Sequence, residues 1–211
     1  MSLEFDRLVE VIGQLREYCP WMAELTHESL IRYLIEESYE LVEAIEDAHP
    51  AAEVRGELGD VLLQVVLHAR LAEEAGEFSI TEVISGLTEK MVRRNPHVFR
   101  ADGSLQSSFP ATVDEIVATW NQVKSAEKPE RGRFEGIPIS LPALALAQKS
   151  LHRAGADEER KQGAGLASEE LEQAELELGE RLLDVLRGTP MLDAERALRL
   201  AVRRFQKNSD D

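Results

Sequence analysis

Apolar side chains recur every three to four positions along most of this chain, and that spacing predicts amphipathic helices. In the best-marked example they occupy positions 30, 31, 34, 35, 41, 42 and 45, between a candidate N-cap at Thr26 and a turn at Pro50. Gly76 and the pair Asn95-Pro96 end two further periodic segments. The predicted fold class is therefore all-α, with helices over residues 3–17, 27–48, 51–75, 81–94, 113–125, 141–153, 168–187 and 191–206.

The segments between these helices predict how the chain is divided. Residues 100–111 are polar and indicate a loop, while residues 128–139 combine Pro, Gly and charged side chains as linkers do. Beyond that linker, Glu177-Leu-Gly-Glu180 echoes Glu57-Leu-Gly-Asp60. The echo has no intact EExxE before it. We therefore predict a working helical domain over 1–127, a linker over 128–139, and a degenerate second helical repeat over 140–211.

The helix predicted over residues 51–75 is apolar on nearly every side, apart from a narrow polar strip formed by Glu57, Asp60 and Gln64. An ionised carboxylate on such a helix is costly unless its charge is compensated. No Lys or Arg lies within one helical turn of Asp60 to provide that compensation. The pattern therefore indicates that Asp60 meets a cation from outside its own helix.

The preceding helix carries a second acidic group, the EExxE of Glu36, Glu37 and Glu40. Glu37 and Glu40 border its apolar side, whereas Glu36 points further towards solvent. If the two helices pack antiparallel, Glu37 and Glu40 converge with Glu57 and Asp60. Four carboxylates that close repel unless a cation neutralises them. Hard oxygen donors in this number predict a divalent-cation site of the Mg²⁺ type.

Positive charge is scarce in this chain, which has 24 basic and 40 acidic residues and a net charge of −16. That balance argues against duplex nucleic acid as a partner. The basic side chains gather at helix ends, where the helix dipole favours them and where they can also bind the phosphates of an anionic ligand. Trp120 either packs in the core or stacks on a base. The candidate ligand-binding residues are Lys90, Arg93, Arg94, Trp120 and Lys124.

Several classes of protein are excluded or disfavoured by missing features. The sequence has neither a Walker A motif nor Gly-x-Gly-x-x-Gly, so it is not a P-loop or Rossmann enzyme. A di-iron bundle needs Glu-x-x-His motifs on two helices, and Glu24–His27 lies at a helix start beside a Pro-Trp turn, which disfavours that class of protein. His68 is expected to be a core or edge histidine. Cys19 is the only cysteine, and no signal peptide or long apolar run is evident, which predicts a cytoplasmic protein without a membrane span.

Seven motifs, taken together and in order, resemble the MazG family of nucleoside triphosphate pyrophosphohydrolases. The resemblance covers most of residues 5–150, and the acidic motifs are specific in this company although weak alone. The motifs are Cys19-Pro-Trp21, Thr26-His-Glu-Ser-Leu30, Glu36-Glu-Ser-Tyr-Glu40, Glu57-Leu-Gly-Asp60, Arg93-Arg-Asn-Pro-His-Val-Phe99, Trp120 with Lys124-Ser-Ala-Glu-Lys128, and Gly136-Ile-Pro-Ile-Ser-Leu-Pro-Ala143.

The resemblance implies a MazG-like four-helix catalytic bundle that dimerises, here with extra C-terminal helices. It implies hydrolysis of NTPs and dNTPs to the monophosphate and pyrophosphate, with Mg²⁺ or alternatively Mn²⁺, by a homodimer or a dimer of dimers that cleanses the nucleotide pool. Glu36 is expected to assist from outside the metal shell or to orient water. By motif position, the metal ligands are Glu37, Glu40, Glu57 and Asp60, and the substrate-binding residues are Lys90, Arg93, Arg94, Trp120 and Lys124.

Three positions depart from the family pattern and leave other functions open. Met22 replaces an acidic residue, Leu25 replaces a glutamine and Asn95 replaces a histidine. Met22 and Leu25 are expected to alter nucleotide recognition. One alternative is a pyrophosphohydrolase restricted to a modified or pyrimidine dNTP. Another is a catalytically decayed, acidic helical dimer that binds a nucleotide or a protein.

Overall fold

The computed structural model describes residues 3–109, 112–127, 132–155 and 168–210. In these ranges the chain is all-α, as predicted, and every predicted helix is present. The largest difference concerns the last helix, predicted over 191–206 and found at Ala194–Asp210. The helices are α1 Leu3–Tyr18, α2 Pro20–Ala23, α3 His27–Glu46, α4 Ala51–Glu74, α5 Ile80–Arg94, α6 Val113–Ala126, α7 Ala143–Ala154, α8 Ser168–Gly188 and α9 Ala194–Asp210.

Side-chain caps and glycines explain why the helices begin and end where they do. Thr26 caps α3 in a capping box with Ser29, and Ser79 does the same for α5 with Glu82. Gly76 follows α4 with a φ of 72°, a left-handed conformation that glycine adopts without strain. The sequence predicts only a break at Cys19-Pro-Trp21. The structure instead forms the single-turn α2 there, with Pro20 at its first position.

The region predicted as a loop over residues 100–111 begins with a small hairpin. Phe99 and Leu105 form an isolated antiparallel bridge, and the Gln106 amide N–H donates to the Val98 carbonyl at 2.9 Å. Gly103 turns the chain with a φ of 83°. Alternation over so few residues is too short to predict a strand pair from the sequence.

The first compact unit, Met1–Ser125, is built around the helices α3 and α4. The two run antiparallel across the Pro50 turn, and α1 and α2 cover one side of the pair. Ile12, Leu30 and Val66 are buried in the core between these helices. The α3–α4 pair is therefore the scaffold that positions the acidic side chains.

An arginine fixes the segment that leads into α3. The Arg16 side chain is nearly buried, donates to Glu74 Oε2 at 2.6 Å, and also donates to the carbonyls of Met22 and Leu25. It therefore ties α1 to the end of α4 and to the turn before Thr26.

The second compact unit, Ala126–Asp211, packs α7 against α9. Phe134, Leu146 and Val202 form its small core. The carboxylate of Glu195 on α9 accepts from the Ala143 amide N–H at 2.9 and 3.0 Å, which caps the start of α7. The division into a catalytic domain and a degenerate repeat stays a prediction. None of the helices described here is long and apolar enough to cross a membrane.

Candidate metal centre

Three of the predicted carboxylates meet between α3 and α4. Glu37 and Glu40 lie one turn apart on α3, and Glu57 faces them from α4. One carboxylate oxygen from each of the three lies within 4.8 Å of the others. The antiparallel packing of two consecutive helices thus produces the convergence that the spacing predicts.

The charges in this cluster disfavour its fully ionised form. The pKa of Glu37 is raised above 4.5, first by burial and then by the negative charges of Asp60, Glu40, Glu36 and Glu57. The fourth predicted carboxylate, Asp60, acts on Glu37 through its charge but is not among the three whose oxygens meet within 4.8 Å. Glu36 is exposed, as predicted, and acts on Glu37 only through its charge.

Glu57 adds an independent indication that the cluster is incomplete in the chain alone. Its Oε2 atom is buried, and none of the residues described in the structure donates a hydrogen bond to it. A buried carboxylate oxygen is stabilised by a donor or a cation. The surrounding ligand atoms are carboxylate oxygens, which suit Mg²⁺ and similar hard cations. The residues present therefore fit a divalent cation.

Asp60 does not meet, in the single chain, the desolvation cost that its position on an apolar helix indicates. Asp60 is exposed, because the side of α4 that carries it is open. Leu58 and Leu62 are exposed on the same helix, at 54% and 39% of their full area. The apolar character of α4 all round led to the expectation. In one chain only part of that surface packs against α1 and α3, so Asp60 is solvated, and it is the pKa of Glu37 that burial raises.

The predicted substrate-binding residues lie on α5 and α6. Lys90, Arg93 and Arg94 occupy the last two turns of α5, and the guanidinium carbon of Arg94 lies 5.5 Å from the centre of the Trp120 ring. That distance allows a cation–π interaction. That Arg94 and Trp120 are neighbours could not be predicted from their spacing along the chain. Lys124 belongs to α6, but its side chain lies outside the described part of the structure, as does Lys128.

Two histidines that sequence analysis kept apart form a pair. The Nδ1 atoms of His27 and His68 are 2.7 Å apart, and the rings stack with centroids separated by 5.0 Å. His27 therefore pairs across α3 and α4 with another histidine. The Nε2 atom of His68 is buried and lacks a partner within the described residues.

Gln64 is the residue near the cluster whose burial sequence analysis missed. It belongs to the predicted polar strip, yet only 4% of its surface is exposed, and its Oε1 atom finds no donor in the described chain. Its place four residues after Asp60, inside an apolar run, was the available signal.

The three departures from the family pattern lie away from the carboxylates. Met22 and Leu25 are buried in the core of the first unit, with 7% and 9% of their surface exposed. Neither side chain is therefore exposed for direct contact with a nucleotide, so any effect on nucleotide recognition would come from packing. That effect stays a prediction. Asn95 ends α5, and its Nδ2 donates to the Met91 carbonyl at 2.7 Å.

Comparison with known proteins gives a consistent result. Residues 25–99, which include all four carboxylates, match the family model described as the MazG nucleotide pyrophosphohydrolase domain. The chain is 39% identical over 220 residues to the nucleoside triphosphate pyrophosphohydrolase/pyrophosphatase MazG of Thermotoga maritima. That match covers 95% of this chain and 82% of the relative.

Other relatives are matched over different shares of their length. An uncharacterized 26.1 kDa protein from Streptomyces cacaoi is 43% identical, over 92% of this chain and 76% of its own. The nucleoside triphosphate pyrophosphohydrolase of Escherichia coli (strain K12) is 40% identical over 69% of this chain, which spans only 55% of that enzyme. A crystal structure of a mazG-related protein from Thermotoga maritima aligns with a TM-score of 0.49 and 25% identity, over 57% of this chain and 98% of that one.

Proposed function

The chain belongs to the MazG nucleotide pyrophosphohydrolase family, and from that premise we propose that it hydrolyses nucleoside and deoxynucleoside triphosphates to the monophosphate and pyrophosphate. Water adds to the α-phosphorus, the α–β anhydride bond breaks, and pyrophosphate leaves. The single observation that carries the proposal is the meeting of Glu37, Glu40 and Glu57 oxygens within 4.8 Å beside Asp60. Removal of unwanted nucleotides from the pool, in the cytoplasm, is the proposed role.

We propose that four carboxylates are the metal ligands. The proposed cation is Mg²⁺, with Mn²⁺ as the alternative. The raised pKa of Glu37 and the buried, unpartnered oxygen of Glu57 support this assignment. When bound, the cation neutralises phosphate charge and makes water a better nucleophile. Glu36, exposed beside the cluster, is placed to orient that water. The ligands are Glu37, Glu40, Glu57 and Asp60.

The basic end of α5 is the proposed binding site for the triphosphate. Lys90, Arg93 and Arg94 bring three positive charges to one helix end in a chain with a strong negative excess. Arginine suits phosphate oxygens because its planar donors bind two of them at once. Trp120, beside Arg94, is the proposed stacking partner of the base, and Lys124 on the same helix adds a further charge.

We further propose a homodimer or a dimer of dimers, because the α3–α4 pair exposes a broad apolar surface. An exposed apolar surface of this kind marks an association site. We call these side chains the open face; they are Ile31, Ile35, Tyr39, Val42 and Ile45 on α3, and Leu58, Leu62 and Val65 on α4.

The proposal is tested by product analysis. Purified protein is incubated with each common NTP and dNTP, with Mg²⁺ and with EDTA, and products are separated by ion-exchange chromatography. We expect monophosphate and pyrophosphate in equal amounts, and none with EDTA. Asp60→Asn should abolish product formation without lowering the thermal unfolding midpoint, because Asp60 is exposed.

Asp184→Asn is the matched control, since Asp184 is an exposed aspartate in the second unit. It should leave product formation unchanged. Full activity of Asp60→Asn would refute the site. The absence of product from every nucleotide would refute the function.

A further inference from the structure

Gln64 is a buried carboxamide that the fold of the single chain does not explain. Only 4% of its surface is exposed, and the neighbouring positions Leu63, Val66 and Leu67 contribute apolar side chains to the core of the first unit. A buried polar atom is stabilised only when it is hydrogen-bonded. Its Oε1 atom has no donor among the residues that the structure describes. A leucine would fill the same volume without that cost, so the missing donor is the feature to explain.

The position of Gln64 shows where a donor can come from. Glu57, Asp60 and Gln64 are spaced by three and four residues, so they share one face of α4. Side chains on a helix lean towards its N-terminus, over the preceding turn. The preceding turn here carries Asp60, so the Gln64 carboxamide leans towards the acidic cluster. Glu57 Oε2, at the other end of this strip, is also buried and unpartnered.

The next polar residue along the strip does not supply the donor. His68 follows one turn after Gln64, and its Nδ1 engages His27. Its Nε2 atom is itself buried without a partner in the described chain, so it is not bonded to Gln64. No donor for Gln64 is therefore left among the described residues, and a ligand of the acidic site can supply one.

We propose that Gln64 is a positioning residue of the divalent-cation site, whose Oε1 accepts a hydrogen bond from a water held by the cation beside Asp60. Mg²⁺ and Mn²⁺ keep water ligands in protein sites, and these are strong donors. Residues that hydrogen-bond to the ligands of a metal orient those ligands and raise the affinity of the site for the metal, typically by about 10–100-fold. The inference rests on the proposed function, because it requires the cation at the four carboxylates.

The test measures Mn²⁺ binding to the metal-stripped full chain without nucleotide. The electron paramagnetic resonance signal of free Mn²⁺ reports how much of the ion is bound. Gln64→Leu should weaken binding by about 10–100-fold. In EDTA its thermal unfolding midpoint should equal or exceed that of the wild type, because the unpartnered acceptor is gone. Gln64→Glu keeps an acceptor and should bind Mn²⁺ at least as tightly as the wild type. It should unfold earlier in EDTA, because it adds a fifth carboxylate to the cluster.

The rank order of the variants in Mn²⁺ affinity is therefore opposite to their rank order in unfolding midpoint in EDTA. A merely structural role of Gln64 does not produce opposite orders. Wild-type Mn²⁺ affinity in Gln64→Leu, or weakened binding in Gln64→Glu, overturns the inference. If Gln64→Leu does not fold, Gln64→Met replaces it with the same expectations. Gln206→Leu is the matched control: its carboxamide donates to Ser150 in the second unit, so Mn²⁺ binding should not change. Asp60→Asn in the same titration separates the two proposals, since unchanged Mn²⁺ binding there refutes the metal site itself.

Discussion

At the scale of single residues, repulsion among carboxylates dominates the cluster when no cation is present. Glu57 contributes to the raised pKa of Glu37 and has a buried oxygen without a donor within the described residues. We expect Glu57→Gln to raise the thermal unfolding midpoint in EDTA by about 2–4 °C, the change that ~1 kcal/mol causes in a protein of this size. The same variant should lose turnover by on the order of 100-fold or more, because a charged ligand is gone.

Calorimetry with EDTA and with Mg²⁺ checks this prediction. Mg²⁺ should raise the midpoint of the wild type more than that of Glu57→Gln, because a ligand that binds only the folded state stabilises it. Glu53→Gln on the same helix is the control, because Glu53 is exposed and is not a member of the cluster. A midpoint in EDTA that falls in Glu57→Gln would contradict the account of repulsion.

The residues of this cluster could be predicted because they depend on local spacing. Glu37, Glu40 and Glu57 are fixed by helix periodicity and one short turn, so antiparallel packing alone brings them together. The His27–His68 pair and the burial of Gln64 depend on which surface of α4 faces the core. Because α4 is apolar on nearly every side, its sequence does not say which side faces the core, and the signal is limited to a lone polar residue such as Gln64 inside the apolar run.

The His27–His68 pair makes stability depend on pH near neutrality. The pKa of His68 is lowered from 6.5, first by burial and then by the charge of His27. Below pH 6.5 the unfolded chain therefore binds this proton more readily than the folded chain does. The stabilisation is complete above pH 6.5 and is lost as the pH falls towards the lower pKa of the folded form.

We expect the thermal unfolding midpoint of the wild type to fall between pH 7.5 and pH 5.5 by at least about 2 °C more than that of His68→Gln. Circular dichroism in matched buffers measures this difference. Comparison with the variant cancels the contribution of the carboxylates to the pH dependence, because they are the same in both proteins. His152→Gln, at an exposed site in the second unit, should retain the wild-type pH dependence. Equal slopes for wild type and His68→Gln would show that the pair does not titrate as described.

At the scale of helices, Arg16 holds the turn that starts α3. Its guanidinium binds Glu74 on α4 and the carbonyls of Met22 and Leu25. The pKa of Glu74 is lowered, chiefly by the hydrogen bond from Arg16, so the carboxylate stays ionised. Arg16→Met keeps much of the apolar stem but leaves the Met22 and Leu25 carbonyls without this donor, while Glu74 keeps its hydrogen bond from Arg70. We expect a loss of about 2–3 kcal/mol in the free energy of unfolding.

Urea denaturation of the metal-free protein measures that loss. Arg7→Met is the control, because Arg7 pairs with Glu10 on an exposed face of α1. Exposed pairs of this kind contribute about 0–1 kcal/mol. A loss in Arg16→Met no larger than that of Arg7→Met would mean that water replaces the guanidinium without cost.

Most helices could be predicted because their ends carry chemical signals. Thr26, Pro50 and Gly76 mark three ends, and the structure uses each of them as predicted. The single turn of α2 and the Phe99–Leu105 bridge are too short for periodicity to reveal. Both are stabilised by side chains from outside the short element. Arg16 donates to the Met22 carbonyl of α2, and Gln106 donates to the Pro96 carbonyl at 3.0 Å.

At the scale of the whole molecule, the apolar pattern of α3 and α4 exceeds what one chain can bury. Both helices contribute to the core on one side, yet the open face leaves Ile45 and Val65 exposed at 60% and 41%. Apolar residues that recur on two faces of a helix indicate two packing partners. One partner is the core of the first unit. The proposed second partner is another copy of the same chain.

Light scattering coupled to size-exclusion chromatography tests this association. The wild type should have at least twice the chain mass of 23.6 kDa, and Ile45→Lys combined with Val65→Lys should shift it to a single chain. Leu200→Lys is the control, because Leu200 is equally exposed but lies in the second unit, so its mass should stay that of the wild type. If the open face also shields the acidic cluster, the separated chains should bind Mn²⁺ more weakly although all four carboxylates remain. A wild type that elutes at the mass of one chain would refute the dimer and leave the exposed apolar side chains of α3 and α4 for a different partner.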